Sequence, residues 1–240
     1  MHVGGELVSP PIFTVERGII YMDFNEQGIQ AIQERRYEDA AKYFTQAIEA
    51  EPENAVGYVN FGNLLATMNE AERAERFFQK AITLDEGAAT AYYGLANLYF
   101  NAERFVEAAK LYQKSIDNGI EGADAFYMLA KCFEREENYK LALPYMQRAA
   151  ELAPQDLQIR LSYGILLCTL ELFPQAKAEL DFVIEEDWNN ADAHYNLGIL
   201  YAVSTDQLDD ALYHLKQAFT LQPEFVQAHE IYNMLLQKKN

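Results

Sequence analysis

Basic residues are scarce in this sequence, and so are cysteine, proline and glycine. Only 19 Lys and Arg stand against 37 Asp and Glu, which gives a formal net charge of −18. Nucleic acids and anionic membrane surfaces attract proteins mainly through Lys and Arg, so this charge argues against both as partners. It favours a soluble protein whose partners are basic or neutral proteins.

Features of secreted and membrane proteins are also missing. The two cysteines, Cys132 and Cys168, each lie in an apolar run, which predicts buried reduced thiols and a cytoplasmic location. No apolar run approaches the roughly 18 residues that a membrane span needs. With only 12 Gly and 7 Pro and few β-branched runs, the composition favours an all-α class.

Residues 1–20 are predicted to be irregular. Gly-Gly and Pro-Pro pairs interrupt this stretch, and such pairs mark turns and loops. The stretch also lacks the basic n-region of a secretory signal. Three origins stay open for it: a native extension, an overlong start upstream of Met22, or a remnant of an expression vector.

A repeat of 34 residues dominates the rest of the chain. Small residues recur at this interval inside apolar helical patterns: Gly28, Gly62, Ala96, Ala130, Gly164 and Gly198. Alanine recurs twelve positions further on, at Ala40, Ala74, Ala108, Ala142 and Ala176, and at Ala211 after a one-residue insertion. Because a glycine inside a helix costs about 1 kcal/mol relative to alanine, we expect close packing against a partner helix to offset that cost.

Each repeat is predicted to be two helices joined by a tight turn. Helix A carries the first small residue, and helix B carries the recurring alanine. A pair of short helices cannot bury its apolar stripes alone, so neighbouring pairs must stack. The predicted repeats span residues 21–54, 55–88, 89–122, 123–156, 157–190 and 191–225, and a capping segment spans residues 226–240 with a helix over 226–237.

This pattern resembles the tetratricopeptide repeat family. The resemblance rests on aromatic-x-x-Leu-Gly/Ala-x-x-Tyr in helix A, then Ala-x-x-x-Phe-x-x-Ala and a proline, in six copies over about residues 21–225. It implies a right-handed superhelical α-solenoid of antiparallel helix pairs, whose concave groove commonly holds an extended peptide or a partner helix. Repeat 5 departs from the pattern with Arg160 at position 4 and Trp188 in place of the proline, and repeat 6 has His194 at position 4.

No catalytic constellation is recognisable. The four histidines are His2, His194, His214 and His229, and none belongs to a metal-binding, nucleophile or phosphate-binding motif. Both His194 and His214 fall at structural positions of the repeat, which favours packing over catalysis. The sequence therefore predicts a non-enzymatic protein with no metal and no cofactor.

Positions 2, 5, 9 and 12 of helix A form a stripe beside the buried one, and the resemblance places this stripe in the concave groove. The candidate peptide-binding residues on or next to it are Asn25, Asn63, Tyr93, Asn97, Tyr127, Lys131, Arg135, Leu161, Ile165, Tyr195 and Ile199. An asparagine carboxamide can donate to and accept from a peptide backbone. Asn63 and Asn97 are therefore the leading pair, with simple solvation of the groove as the alternative. Two roles stay open for the tyrosines. They either frame pockets for the side chains of a bound peptide or pack between neighbouring A helices.

The charged and apolar side chains of the stripe indicate which kinds of partner it could bind. Family members that bind the acidic tails of chaperones use Lys and Arg with Asn across the first repeats, whereas here Lys131 and Arg135 occur only in repeat 4. Such tails are therefore disfavoured. The apolar stripe residues of repeats 5 and 6 would suit a helix or a hydrophobic segment.

The predicted function is a scaffold that binds a protein or peptide whose identity is unknown. Two alternatives stay open. One is an accessory or assembly subunit of an enzyme complex. The other is a module that self-associates into a homo-oligomer through its N-terminal arm or its terminal helix.

Overall fold

The computed structural model describes residues 13–16, 19–204 and 207–239, and most of this chain is helical. In chain order the helices are α1 (Phe24–Gln33), α2 (Tyr37–Ala50), α3 (Ala55–Thr67), α4 (Ala71–Leu84), α5 (Ala89–Asn101), α6 (Phe105–Asp117), α7 (Ala123–Arg135), α8 (Tyr139–Leu152), α9 (Leu157–Thr169), α10 (Phe173–Glu186), α11 (Ala191–Ser204), α12 (Leu208–Leu221) and α13 (Val226–Lys239). Odd-numbered helices up to α11 are the A helices of the repeats, and even-numbered helices are the B helices. The predicted all-α class is therefore confirmed.

The chain divides into two compact units, residues 1–120 and 121–240. Unit 1 contains α1 to α6, and unit 2 contains α7 to α13. Within each unit, an A helix packs against its own B helix, and that B helix packs against the next A helix. The terminal helix predicted over residues 226–237 is α13, which takes the place of a next A helix against α12.

A short β-hairpin precedes α1, where the sequence predicted irregular chain. Strand β1 (Phe13–Glu16) pairs antiparallel with β2 (Ile19–Met22), with Phe13 opposite Met22 and Glu16 opposite Ile19. Both segments are rich in aromatic and β-branched residues, which favour strands. The glycine and proline pairs upstream favour irregular chain, so the strand signal of these short segments is weak in the sequence alone. The other residues of the stretch 1–20 lie outside the described residues.

Helix α1 begins at Phe24, inside the first predicted repeat of residues 21–54. Asp23 decides this start, because its carboxylate accepts hydrogen bonds from the backbone N–H groups of Asn25 and Glu26. Such an N-cap satisfies donors that lack a partner inside the helix.

In unit 1, two glycines on neighbouring A helices enclose a phenylalanine ring. Phe78 of α4 is fully buried, and its ring lies against Gly62 of α3 and Gly94 of α5. A Cβ atom at Gly62 would come within 2.8 Å of the ring, and one at Gly94 within 2.5 Å, closer than carbon atoms approach without displacement. Packing of the ring on the backbone is what offsets the low helix propensity of Gly62.

Position 4 of helix A holds different residues that make the same contact. In three repeats its side chain bonds to the carbonyl oxygen of the residue six positions upstream: Tyr58 Oη to Pro52 at 3.1 Å, Arg160 Nε to Pro154 at 2.9 Å, and His194 Nε2 to Trp188 at 3.1 Å. A hydroxyl, a guanidinium and an imidazole can each donate this hydrogen bond. The departures of repeats 5 and 6 from the family pattern therefore preserve a contact between consecutive repeats.

The turn from helix A to helix B places one residue in the left-handed region. These residues recur every 34 positions with φ between 57° and 59°: Arg35, Asn69, Glu103, Glu137 and Glu171. Apart from asparagine, such side chains are strained in this conformation. No glycine occupies these positions, so the sequence carries no signal of a left-handed residue there.

Glu137→Gly is expected to stabilise unit 2 by about 0.5–1 kcal/mol, because glycine adopts positive φ without a Cβ clash. The matched control is Glu136→Gly, one residue upstream at φ −90°. There glycine only increases the entropy of the unfolded chain and should destabilise. Thermal unfolding of both variants measures the difference, and a lower melting temperature for Glu137→Gly would contradict this account of the turn.

Candidate functional site

The candidate residues of the sequence lie on the A helices of each unit. In unit 1, α1 lies beside α3, and α3 lies beside α5. We define the unit 1 face by Asn25, Ile29, Val56, Asn63, Tyr93 and Asn97 on these helices. The corresponding unit 2 face consists of Tyr127, Lys131, Arg135, Ile165, Tyr195 and Ile199 on α7, α9 and α11.

Asn25 is engaged inside unit 1. It is half-buried, and its Oδ1 accepts a hydrogen bond from Nδ2 of Asn60 on the next A helix at 2.9 Å. This bond joins α1 to α3, so the side-chain oxygen of Asn25 stabilises the packing of these two helices. Asn60 was not a candidate from the sequence. Its signal was an amide side chain about one repeat after Asn25, which places the two residues on neighbouring A helices.

Asn63 and Asn97 occupy the same repeat position, but their surroundings differ. Asn63 is exposed, whereas Asn97 is half-buried. The buried Tyr112 donates its hydroxyl to Oδ1 of Asn97 at 2.5 Å. In the repeat of Asn63, the residue equivalent to Tyr112 is Phe78, which has no hydroxyl. A residue of helix B therefore causes the difference between the two asparagines. The pattern of helix A alone does not predict it.

The bond from Tyr112 fixes the orientation of the Asn97 carboxamide. With Oδ1 facing the buried hydroxyl, the two N–H donors of Nδ2 lie on the opposite side of the amide group. Tyr93 supports this arrangement, since its ring meets that of Tyr112 edge-on with centroids 5.6 Å apart. Tyr112 was not a candidate from the sequence, although it is the tyrosine among mostly Phe, Leu and Met residues at its repeat position.

The tyrosines of the unit 2 face make contacts inside the unit. Tyr127 Oη lies 3.2 Å from Oγ of Ser162, a hydrogen bond between α7 and α9. The ring of Tyr195 packs on that of Phe225 with centroids 4.7 Å apart. Of the two roles considered for these residues, packing inside the repeat stack is the one that these contacts support.

The basic residues of the unit 2 face lie at the end of α7. Lys131 forms an ion pair with Glu134, whose side chain is largely buried. That carboxylate offsets the positive charge of Lys131. Arg135 is exposed at the last position of α7.

Leu161 does not belong to the exposed surface. It is only 6% exposed and packs in a core cluster with Leu180 of α10 and Leu197 of α11. At this position an apolar side chain turns toward the neighbouring helices, because burial there removes it from water. Ile165 and Ile199 are half-buried, so they retain part of the apolar character expected of this end.

The two cysteines are free thiols. Burial raises the pKa of the Cys132 thiol to about 12, with a smaller contribution from Glu136, and burial raises the pKa of the Cys168 thiol to about 11. Thiols with such high pKa values stay protonated near neutral pH and are poor nucleophiles. Neither cysteine is therefore a catalytic candidate.

Within the described ranges, no three His, Cys, Asp or Glu side chains come together in a group that could hold a metal ion. Among the helices of that same part of the chain, none is long and apolar enough to cross a membrane.

Comparisons with known proteins agree with the repeat pattern. Sequence models described as tetratricopeptide repeat match residues 31–81, 59–122 and 123–156. A 41-residue stretch is 54% identical to the TPR repeat-containing protein YrrB of Bacillus subtilis, which is 17% of this chain and 20% of that protein. The matched stretch thus spans only a fifth of that relative.

Solved structures give a longer match. The crystal structure of YrrB, described as a TPR protein with an unusual peptide-binding site, is 41% identical over 80% of this chain and 99% of that chain, with a TM-score of 0.77. PilF of Pseudomonas aeruginosa is 18% identical over 88% of this chain and 96% of that chain, with a TM-score of 0.74. MamA is also 18% identical, over 73% of this chain and 96% of that chain, with a TM-score of 0.65. The last two likenesses show the fold alone.

Proposed function

The chain belongs to the tetratricopeptide repeat family, and from this premise we propose that it is a non-enzymatic scaffold that binds a partner peptide on the unit 1 face. Its partner is a protein and not a nucleic acid or a membrane, as its charge suggests. A cytoplasmic location is part of the proposal.

The observation that carries the proposal is the pair of carboxamides on adjacent A helices. The exposed Asn63 can both donate and accept, and the N–H donors of Asn97 lie opposite the bond from Tyr112. An extended peptide offers carbonyl oxygens and N–H groups along its whole length. Two amides at neighbouring repeats can therefore hold its backbone without regard to its side chains.

Two exposed apolar residues of the same face are available to contact the side chains of the peptide. Ile29 is 43% exposed and Val56 is 52% exposed, and both belong to the unit 1 face. Exposed apolar residues within a polar stripe are typical of recognition surfaces. The peptide-binding site described for YrrB, which is 41% identical, adds support by similarity.

The Asn63→Ala/Asn97→Ala double variant is expected to bind a captured partner peptide at least tenfold more weakly than the wild type. Each lost amide contact should cost about 1 kcal/mol. The measurement is a titration of one peptide, identified by affinity capture and mass spectrometry, against both proteins. Because few charges lie on the unit 1 face, we expect affinity to change little between low and high salt.

The matched control is Gln79→Ala/Gln113→Ala, which removes two amides at the same repeat interval from the B helices α4 and α6. It should leave affinity unchanged. Asn97→Ala also removes a hydrogen bond of the buried Tyr112, so circular dichroism must show that the double variant is folded. Unchanged affinity in a folded double variant would overturn the proposed site and direct attention to the unit 2 face.

The same capture experiment separates the alternatives. One enzyme recovered in stoichiometric amount would indicate an accessory or assembly subunit. Recovery of the chain itself, together with a concentration-dependent mass in solution, would indicate a self-associating module.

A further inference from the structure

Two histidines of unit 2 form a direct hydrogen bond. His194 of α11 is fully buried, and its Nδ1 lies 3.0 Å from Nδ1 of His214 on α12. The other ring nitrogen of His194, Nε2, lies 3.1 Å from the carbonyl oxygen of Trp188 in the turn after α10. The first bond joins α12 to α11, and the second joins α11 to the turn that precedes it.

The carbonyl contact determines where the protons reside. A carbonyl oxygen can only accept, so Nε2 of His194 carries the proton and donates to Trp188. In the neutral ring Nδ1 is then an acceptor, and Nδ1 of His214 must be the donor. The two neutral imidazoles therefore have opposite tautomers, with His194 protonated at Nε2 and His214 protonated at Nδ1.

This arrangement suits two neutral imidazole rings. It does not suit rings that carry an extra proton and a positive charge. If both rings were charged, the Nδ1–H of His194 would face the Nδ1–H of His214, and the bond between the rings would be lost. A proton on Nε2 of His214 alone would keep that bond but place a cation in a half-buried site beside the rings of Tyr201 and Tyr213. Burying a charge in such a site is unfavourable.

The charged groups around the pair do not remove this penalty. Asp181 of α10 and Asp210 of α12 favour a positive charge on His214, whereas Lys177 of α10 and His194 oppose it. Burial is the largest effect and lowers the pKa of His214 to about 4, and burial also lowers the pKa of His194.

We propose that the His194–His214 pair is an acid-sensitive clasp, which holds α12 against α11 when both rings are neutral and opens when protons become available. Opening exposes the rings to water, where each can take up a proton.

The direction of the pH effect follows from linkage. The folded pKa values lie below the value of about 6.5 for an exposed histidine, so the open form binds more protons between about pH 6.5 and pH 4. The closed form is fully favoured above this window and loses favour as the pH falls through it. Uptake of one proton can raise the opening equilibrium constant by at most tenfold per pH unit, so a steeper rise would show that both rings take part.

The fluorescence of Trp188 can be used to follow the state of the histidine pair. It is the single tryptophan of the chain, and its ring centroid lies 4.8 Å from that of His194. Titration of the full chain should show a fluorescence transition between about pH 6.5 and pH 4 that depends on more than one proton. The transition should be shallower or absent in His214→Phe and unchanged in His229→Phe, which alters an exposed histidine of α13. Equal transitions in all three proteins would overturn the clasp.

Two further measurements on the wild type keep the test independent of the variants. Nitrogen-15 spectra near pH 7.5 should show the Nε2–H tautomer for His194 and the Nδ1–H tautomer for His214. When the pH falls from 7 to 5, amide exchange protection should drop more in α12 than in α3 and α4, compared at each pH. Ordinary titration of both rings near pH 6.5, or an equal loss of protection in all three helices, would contradict the proposal.

Discussion

Phe78→Ala should lower the free energy of unfolding by about 3–5 kcal/mol, the range for removal of a fully buried aromatic side chain. The ring has no exposed surface and lies in a core cluster with Val59, Leu65 and Leu95. It fills the space between the backbones of α3 and α5, so its loss leaves a cavity that the helices can close only by moving together. Chemical denaturation followed by circular dichroism measures the change.

A second substitution tests the contact itself. Gly62→Ala alone should destabilise by about 1–3 kcal/mol, because its Cβ would lie 2.8 Å from the Phe78 ring. In the Phe78→Ala background the same change should become neutral or stabilising, because the space is vacant and alanine is the better helix former by about 1 kcal/mol. If the losses of unfolding free energy from Gly62→Ala and Phe78→Ala simply add in the double variant, the Phe78 ring is not the reason that glycine is required at position 62.

Glu179→Ala should destabilise unit 2 by about 2–4 kcal/mol, because it leaves Arg160 largely buried without its carboxylate. Arg160 Nη1 lies 2.6 Å from Oε2 of Glu179, and the two side chains are 22% and 16% exposed. The guanidinium also donates to the carbonyl of Pro154 and lies 4.8 Å from the centroid of the Phe182 ring. These contacts hold it in place after the carboxylate is gone.

The matched control is Glu151→Ala, which removes the exposed partner of Arg148 at 3.2 Å, where the side chains are 52% and 51% exposed. Exposed pairs of this kind contribute about 0–1 kcal/mol. In the double variant Arg160→Met/Glu179→Met, part of the stability should return, because no unpaired charge stays buried. Thermal unfolding of the four proteins distinguishes the cases, and equal shifts for Glu179→Ala and Glu151→Ala would show that burial of the pair does not matter.

The repeat period determined most of the architecture. A fixed interval of 34 residues with small residues such as Gly62 and Ala74 specifies paired helices, because only close packing explains a glycine inside an apolar helical pattern. Within a repeat, side chains of the same helical stripe are placed by geometry alone. Helix pairs, the terminal helix and the candidate stripe could therefore be predicted without coordinates.

Contacts between elements decided what each candidate residue can do. Asn63 and Asn97 are equivalent in the repeat, yet only Asn97 is held by a hydroxyl, because that hydroxyl comes from Tyr112 fifteen residues later on another helix. Leu161 shares the stripe with exposed residues but is buried by α10 and α11. The histidine pair likewise depends on a distance between α11 and α12. Periodicity reports which face of a helix a residue occupies, whereas only the packed structure reports which neighbouring side chain meets it there.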